Sequence, residues 1–260
     1  NEISNLGRGG SDYTASIMAN YTNSEALEIW TDVSGVFSAN PKIVKNSKAI
    51  ESLSYKEAME LSFFGAKVIY FPTLQPLIEK SIPAYIKNTF DKDAIGTCIS
   101  NKAGNNGETT IKGISHIEKI SLINFEGSGM VGVPGFSKRF FGALSEKGIN
   151  VIMITQASSE FSICIAVKEF DANNAKISID KEFEYEISQK KINECQIESS
   201  LSNIAIVGDN MKSKKGVSGR LFSTLGNNNI NIRAIAQGAS ERNISIIIDE
   251  RDNTKALNSL

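Results

Sequence analysis

Apolar positions along this chain follow two spacings, and the order in which those spacings alternate occurs twice. Phe136, Phe140 and Leu144 recur at i, i+4 and i+8, as do Val217, Leu221 and Leu225. That period gathers each trio into one stripe along a helix. Short, mainly apolar runs at 120–125 and 204–207 precede the stripes, each separated from its helix by a glycine-containing loop. Such runs predict buried strands. Two more runs, 151–154 and 163–167, follow the first stripe, with 156–160 as the turn between them. Gly148 closes the first helix, and Asn227, Asn228 and Asn229 close the second; both compositions suit a helix C-terminus. Each unit reads strand–helix–hairpin, the first three-quarters of a βαββαβ layer.

The correspondence extends from pattern to residues. Shifted by 81, residues 127–167 overlay 208–248 without a gap. Met130/Met211, Gly135/Gly216, Arg139/Arg220, Leu144/Leu225, Asn150/Asn231, Gln156/Gln237 and Glu160/Glu241 are identical pairs. A gap-free match over about forty residues marks an internal duplication. One such small layer cannot cover both its faces, so the copies are expected to pack together or with partners.

Residues 1–100 alternate helical and strand patterns, which predicts a parallel α/β layer. A strand at 26–31 leads to a Ser34-Gly35 turn and a loop at 38–42 stiffened by Pro41. Ser54 and Glu57 have the S-x-x-E spacing of a capping box, starting a helix through Ala58, Leu61 and Phe64 that Gly65 ends. A short helix at 73–80 and a strand at 83–88 follow. The polar, glycine-rich stretch 101–109 (NKAGNNGET) is the clearest boundary. It divides an N-terminal domain, 1–100, from a first module at 110–200 and a second at 201–260. A helix from Asn173 to Asp180 or Lys181 and a strand at 184–187 complete or connect the first module. Residues 253–260 open a helix and stop, so the second module is expected to lack its closing helix and strand. The spare strand 110–116 (TIKGISH) can supply the latter.

Composition narrows the chemistry. The 28 Lys and Arg nearly cancel the 29 Asp and Glu, to a net charge of −1. No basic stripe stands out, so nucleic acid is not an expected partner. No apolar run approaches the ~18 residues of a membrane span, and the first residues have no signal-peptide character. Cys98, Cys164 and Cys195 are scattered without metal-site spacing, which fits a reduced, cytoplasmic protein. Cys98 and Cys164 fall in strand-like runs and are expected to be buried. The one histidine, His116, sits in a strand-like stretch, so histidine base chemistry is not expected.

The first chemical signal is the run from Leu6 to Ala15, LGRGGSDYTA. Glycines let a backbone turn sharply and approach a ligand closely. Ser11 or Asp12 can cap the helix that follows. Free N–H groups at that helix start, with Arg8 beside them, would hold a carboxylate or phosphate. The same residues equally describe a tight turn with a surface arginine. Lys67, just after a helix stop, is by spacing alone a solvated charge.

Taken together, GRGGSDYTA, EIWTDVSGVFSANPK, SYKEAMELSFFGAKV, the IKNT strand and the two repeats resemble the aspartokinase family, in that family's order and across essentially the whole chain. The resemblance implies the C-terminal part of an amino-acid-kinase α/β sandwich, followed by two ferredoxin-like βαββαβ ACT modules. The pair ITQASSE and IAQGASER looks most like the bifunctional aspartokinase–homoserine dehydrogenases, which threonine inhibits. It implies that Arg8, Gly9, Gly10 and Ser11 contact L-aspartate, with Arg8 and Asp12 of the same loop counted among the catalytic residues. Thr31, Asp32, Phe37 and Lys42 would frame ATP, used with Mg²⁺, and Lys67 would reach its phosphates as electrostatic catalyst. Phosphoryl transfer rests on positioning and charge stabilisation, so the scarcity of histidine is no obstacle. Ser34 and Asn40 stand where the family usually has Asp. Phe37 lacks a hydroxyl, Lys42 lacks the planar fork of Arg, and Tyr70-Phe71 replaces a common Leu-His.

For the regulatory part, the loop Met130, Val131, Gly132, Val133, Pro134 and Gly135 precedes a helix, so its N–H groups can meet a carboxylate. Asn150 and Gln156 flank the next strand and offer neutral amides, which favours threonine over lysine as effector. Asn231 and Gln237 are their counterparts, beside a loop made basic by Lys212, Lys214 and Lys215; the first copy is therefore favoured. Unpaired module edges favour side-by-side association, hence a homodimer through the ACT modules. The family's N-terminal Lys-Phe-Gly-Gly-Thr segment is not in this sequence. NADP enters only if a dehydrogenase domain follows. The alternative reading is a non-catalytic amino-acid sensor and dimerisation module. The 260-residue chain, given ATP and aspartate, is expected to form no aspartyl phosphate; trapping the product as its hydroxamate checks this, and measurable product would overturn it.

Overall fold

The computed structural model describes residues 9–64, 68–101, 110–156, 161–212 and 214–260. The N-terminal part contains α1 (Gly10–Thr22), β1 (Leu27–Thr31), β2 (Ser52–Ser54), α2 (Tyr55–Phe63), α3 (Leu74–Lys80), β3 (Ala84–Asn88) and β4 (Thr97–Ser100). Its sheet has the order β1-β3-β4-β2. The β1/β3 and β2/β4 pairs are parallel, whereas β3 and β4 are antiparallel. The layer is thus mixed, not parallel throughout. The link between β3 and β4 is too short for the crossover that parallel neighbours need. Ile29, Leu53, Ala84, Ile86 and Ile99 face Ala19 of α1, Ala58 and Leu61 of α2, and Leu74 and Leu77 of α3 in one core.

The start of α2 follows the sequence pattern. The Glu57 amide donates to Ser54 Oγ at 3.0 Å, and Glu57 Oε2 accepts from the Ser54 amide at 2.9 Å. The start of α1 departs from it. Gly9, not Ser11 or Asp12, is the N-cap, and both polar residues lie inside the first turn.

The C-terminal part contains β5 (Gly113–Glu126), α4 (Phe136–Ser145), β6 (Val151–Gln156), β7 (Ser162–Lys168), α5 (Ala172–Glu182), α6 (Glu184–Ser188), β8 (Gln196–Val207), α7 (Val217–Asn227), β9 (Ile232–Gln237), β10 (Asn243–Asp249) and α8 (Asn253–Ser259). One six-stranded sheet has the order β6-β7-β5-β8-β10-β9. The long strands β5 and β8 each serve both repeats. The second half of β5 pairs with the first half of β8: Leu122 opposite Glu198, Ile123 opposite Ile197, Asn124 opposite Gln196. The other halves set Asn203 opposite Ile117, Ile204 opposite His116, and Ala205 opposite Ser115. A shift of 81 turns the first set into the second and exchanges the members of the Ile120/Leu201 pair. The duplication thus pairs with itself about a local two-fold at Ile120 and Leu201, in the isologous manner of a symmetric dimer.

Residues 113–117 accordingly occupy the fourth-strand position beside the second repeat. The closing helix, expected to be missing, is present as α8, with Ala256 and Leu257 in the core. Near the local axis the chain bends. Lys119 and Ser200 have φ of 56° and 60°, and the β5/β8 register shifts there. The sheet folds over far enough that β6 and β9 approach within 8 Å, Cα to Cα. Ile120, Leu122, Ile152, Ala166, Leu201 and Ile247 bury one another on the inner face, with Ala234 and Ala236 packed against them. The outer faces carry the predicted stripes: Phe136, Phe140 and Leu144 in one core, and Val217, Leu221 and Leu225 in the other.

Residues 184–187, expected as a strand, form helix α6. The run FEYEI fits a period of two, but it also sets Phe183 and Ile187 four apart. Tertiary contacts decide for the helix. Phe183 stacks on Phe136 at 4.5 Å between centroids, and Arg139 donates to Glu182 Oε1 at 2.8 Å and to Glu186 Oε1 at 2.5 Å. Cys195 is the buried cysteine, whereas Cys98 and Cys164 are partly exposed; burial still pushes the Cys164 thiol up to about 11.

Two outcomes follow. Phe125 touches Phe136, Phe140 and Phe183 with centroids 5.0 to 5.9 Å apart. Phe125→Ala is therefore expected to cost about 3–5 kcal/mol in urea unfolding. The hydrogen bond from Arg139 holds the Glu186 carboxyl below its usual range. A lowered folded pKa stabilises above the unfolded carboxyl value, about 4.3, and that stability is lost as pH falls through the folded value. The stability gap between the wild type and Arg139→Met is expected to narrow steadily below about pH 4, checked by thermal melts at several pH values.

Candidate functional site

Two places gather the residues singled out from sequence. The first is the glycine loop at the start of α1. Gly9 has φ 75° and ψ 8°, a left-handed conformation that disfavours side chains. A Cβ there would lie 2.5 Å from Tyr70 Cβ. Conformation and packing both require glycine, because the loop rests directly on Tyr70. Beyond it, the Gly10, Ser11 and Asp12 amides occupy the helix's first turn, where no intrahelical acceptor exists. No side chain caps them. Ser11 is exposed, and its hydroxyl donates to Asp12 Oδ1 at 3.3 Å. The arrangement offers N–H groups and a hydroxyl to an anion. Arg8 and Lys67, assigned to the same chemistry, lie outside the described residues.

The loop after β1 is fixed by its neighbours. Thr31 Oγ1 donates to Asp32 Oδ1 at 3.1 Å, and the Thr89 amide donates to Thr31 O at 2.8 Å. Ser34, replacing the family's usual acid, accepts from Asn88 Nδ2 at 2.8 Å. Asn40 accepts from the Lys42 amide through its side-chain oxygen at 3.0 Å, a turn that Asp would make equally well. Phe37 bridges to Ala49, and Lys42 is exposed. Thr97 is a residue the sequence reading missed. It is 1% exposed, accepts from the Val36 amide at 2.8 Å and donates to Ile50 O at 2.6 Å. A threonine at a strand start gives no sequence signal for such a role.

The second place is the loop before α4. Met130 is buried, whereas Val131, Gly132, Val133, Pro134 and Gly135 are exposed. Gly135, with φ 82°, is the N-cap of α4, and no side chain caps that helix. Asn150 precedes β6 and Gln156 ends it, both exposed. The copy repeats this: Gly216, with φ 85°, starts α7 uncapped, and Asn231 and Gln237 flank β9, also exposed. Each module therefore pairs an uncapped helix start with an exposed edge-strand amide. Glu160 lies outside the described residues. Among the described residues no helix is long and apolar enough to cross a membrane.

Comparison with known proteins agrees with this layout. The amino acid kinase family matches residues 1–88, and the ACT domain matches residues 123–183 and 204–260. The bifunctional aspartokinase/homoserine dehydrogenase of Haemophilus influenzae is 42% identical over 256 residues, which is 98% of this chain and 31% of that protein. The lysine-sensitive aspartokinase 3 of Escherichia coli is 30% identical over 98% of this chain and 55% of its own length. The structure of E. coli aspartokinase III in complex with aspartate and ADP superposes with a TM-score of 0.82 at 27% identity, over 98% of this chain and 56% of that one. Clostridium acetobutylicum aspartate kinase gives 0.84 at 31% identity, over 98% and 58%. The chain thus spans about a third to somewhat over half the length of these relatives.

Proposed function

We propose that this chain, which matches the amino acid kinase family over residues 1–88 and the ACT domain over 123–183 and 204–260, is a part of an aspartate kinase in which the substrate loop and the nucleotide loop are joined to an amino-acid-sensing region. The reaction moves the γ-phosphoryl group of ATP onto the side-chain carboxylate of L-aspartate, giving 4-phospho-L-aspartate. The observation that carries the kinase reading is the uncapped start of α1 behind Gly9, pressed onto Tyr70. Its amides and Ser11 would hold the aspartate carboxylate, with Arg8 adding charge. Thr31, Asp32, Phe37 and Lys42 would frame the nucleotide, and Lys67 would offset charge on the transferred group. E. coli aspartokinase III, solved with aspartate and ADP, supports that substrate pair.

Among the described residues no three His, Cys, Asp or Glu side chains gather as a metal cage. This donor set suits Mg²⁺ carried in by nucleotide phosphates, which needs only one or two protein carboxylates. Asp12 and Asp32 are the candidates. Mg²⁺ would supply neutralisation of phosphate charge. NADP belongs to this reading only through an attached dehydrogenase region, as the bifunctional relatives' names suggest.

The sensing region reads as a feedback device for a pathway amino acid, with threonine favoured over lysine. The α4 amides would take the ligand's carboxylate, and Gln156 its hydroxyl or ammonium. A neutral amide gives no charge to hold a lysine side chain. Identity to the bifunctional relatives exceeds that to the lysine-sensitive one, 42% against 30%. The edge strands β6 and β9 would meet a second copy in a homodimer, and the protein would work in the cytoplasm. An effector sensed near millimolar concentration has only about −4 kcal/mol of binding free energy. Losing one hydrogen bond of about 1.5 kcal/mol would therefore weaken it about tenfold. Calorimetry of this chain is expected to show threonine binding more tightly than lysine, and Gln156→Ala is expected to weaken threonine about tenfold. Unchanged affinity in that variant, or a preference for lysine, would sink the assignment.

A further inference from the structure

The second repeat carries polar and charged groups where the first has none of equal reach. Shifted by 81, Asp209, Arg242 and Asn243 correspond to Ser128, Phe161 and Ser162. Asp209 Oδ2 accepts from Ser54 Oγ at 2.5 Å, and Asp209 Oδ1 accepts from Arg242 Nε at 2.6 Å. The Asp209 amide donates to Glu57 Oε1 at 2.9 Å, while the other Glu57 oxygen closes the capping box of α2. One turn further, Asn243 Nδ2 donates to Glu60 Oε2 at 2.7 Å, and Ser115 Oγ donates to Leu61 O at 3.1 Å. Glu57 is 1% exposed. A carboxylate buried so deeply is costly unless its oxygens are bonded, and both are.

The first repeat uses the next position, Gly129 (counterpart of Asn210), differently. There the Gly129 amide donates to Lys191 O at 2.9 Å, and the loop closes on its own module. The nucleotide-side loop also leans on the second repeat. The Ile114 amide donates to Ser38 O at 2.7 Å, and Ile43 and Val44 pack against the core that holds Leu221 and Leu225. Two N-terminal segments thus rest on the second repeat. One is the loop containing Phe37 and Lys42; the other is α2, which leads in sequence to Lys67.

We infer that Asp209 and Glu57 are positioning residues, clamping α2 to the second module so that this module passes the state of the first to the kinase segments. The inference rests on the reading of the first module as the effector site. The first module shares β5 and β8 with the second, and the second holds α2 through a partly buried, charge-assisted network around Glu57. A change begun at the Met130 to Gly135 loop therefore has a continuous packed route, and coupling requires that α2 shift with the module that holds it.

Hydrogen exchange on the whole 260-residue chain tests the clamp in two arms. Without ligand, Asp209→Ala is expected to lower protection of the α2 amides about tenfold or more, as loss of charge-assisted bonds should. Protection in α4 should stay within about twofold. Asn243→Ala, a milder change to the same contact, should act on α2 in the same direction, and Asp209→Asn should restore part of the protection. Equal α2 protection in wild type and Asp209→Ala would overturn the clamp. So would loss of protection in α2 and α4 alike. In the second arm, saturating threonine and lysine are the probes. Ligand should change α2 protection in the wild type but not in Asp209→Ala, with affinity at the first module within about twofold. A ligand response at α2 that survives in the variant would overturn transmission through Asp209. Binding of neither amino acid would fail the effector reading alone, since the ligand-free arm still judges the clamp.

Discussion

The pairing of β5 with β8 is the constraint on which the rest of the C-terminal part depends. A βαββαβ layer needs four strands, and each repeat spans three before its closing helix. The chain answers by making two strands long enough to serve twice. Because the central register maps onto itself under the shift of 81, the pairs of 122–124 with 196–198 are made again as 203–205 with 115–117. Neither module is complete without the other. The bends at Lys119 and Ser200 then let the sheet fold over its own inner face. Three alanines there, Ala166, Ala234 and Ala236, leave little bulk between the layers.

The same pairing sets where the N-terminal part can sit. The leading half of β5 fills the second module's sheet immediately after the linker, so the preceding segment is delivered to that module and not to the first. The contacts of α2 and of the loop at 38–44 with the second module follow from this connectivity. Local detail then adapts to it. Val207, at the end of β8, joins the N-terminal core rather than its own module's core.

What was legible in the sequence was what short-range physics decides. The capping box at Ser54 and Glu57, the apolar stripes of α4 and α7, and most strands need only neighbours a few residues away. What was not legible was decided at long range. Residues 184–187 satisfy both periods, and Arg139 with the phenylalanine cluster selects the helix. Gly9 rather than Ser11 caps α1, and its left-handed φ together with Tyr70 lying where a Cβ would be keeps that position glycine. The mixed sheet of the N-terminal part reflects a short β3–β4 link, whereas the alternating pattern alone suggests a parallel layer. In the candidate site, glycine positions and edge-strand amides could be read from spacing. The supports could not: Thr97 and Asp209 act on partners 61 and 155 residues away.

Sequence identity between the repeats and equivalence of their roles are separate matters, and the structure shows where they part. The residues they share lie at the uncapped helix starts, Gly135 and Gly216, and at the edge-strand ends, Gln156 and Gln237. Those that differ most in charge, Ser128 against Asp209 and Phe161 against Arg242, lie where only one copy meets α2. A loop bound to a neighbouring domain through a buried carboxylate loses freedom that a loop closed on its own module keeps. On that ground alone a ligand should move the first loop more easily than the second, although both helices offer the same amides. Duplication supplied two similar helix starts; attachment of one of them to the N-terminal segments is what makes their mechanical settings unequal.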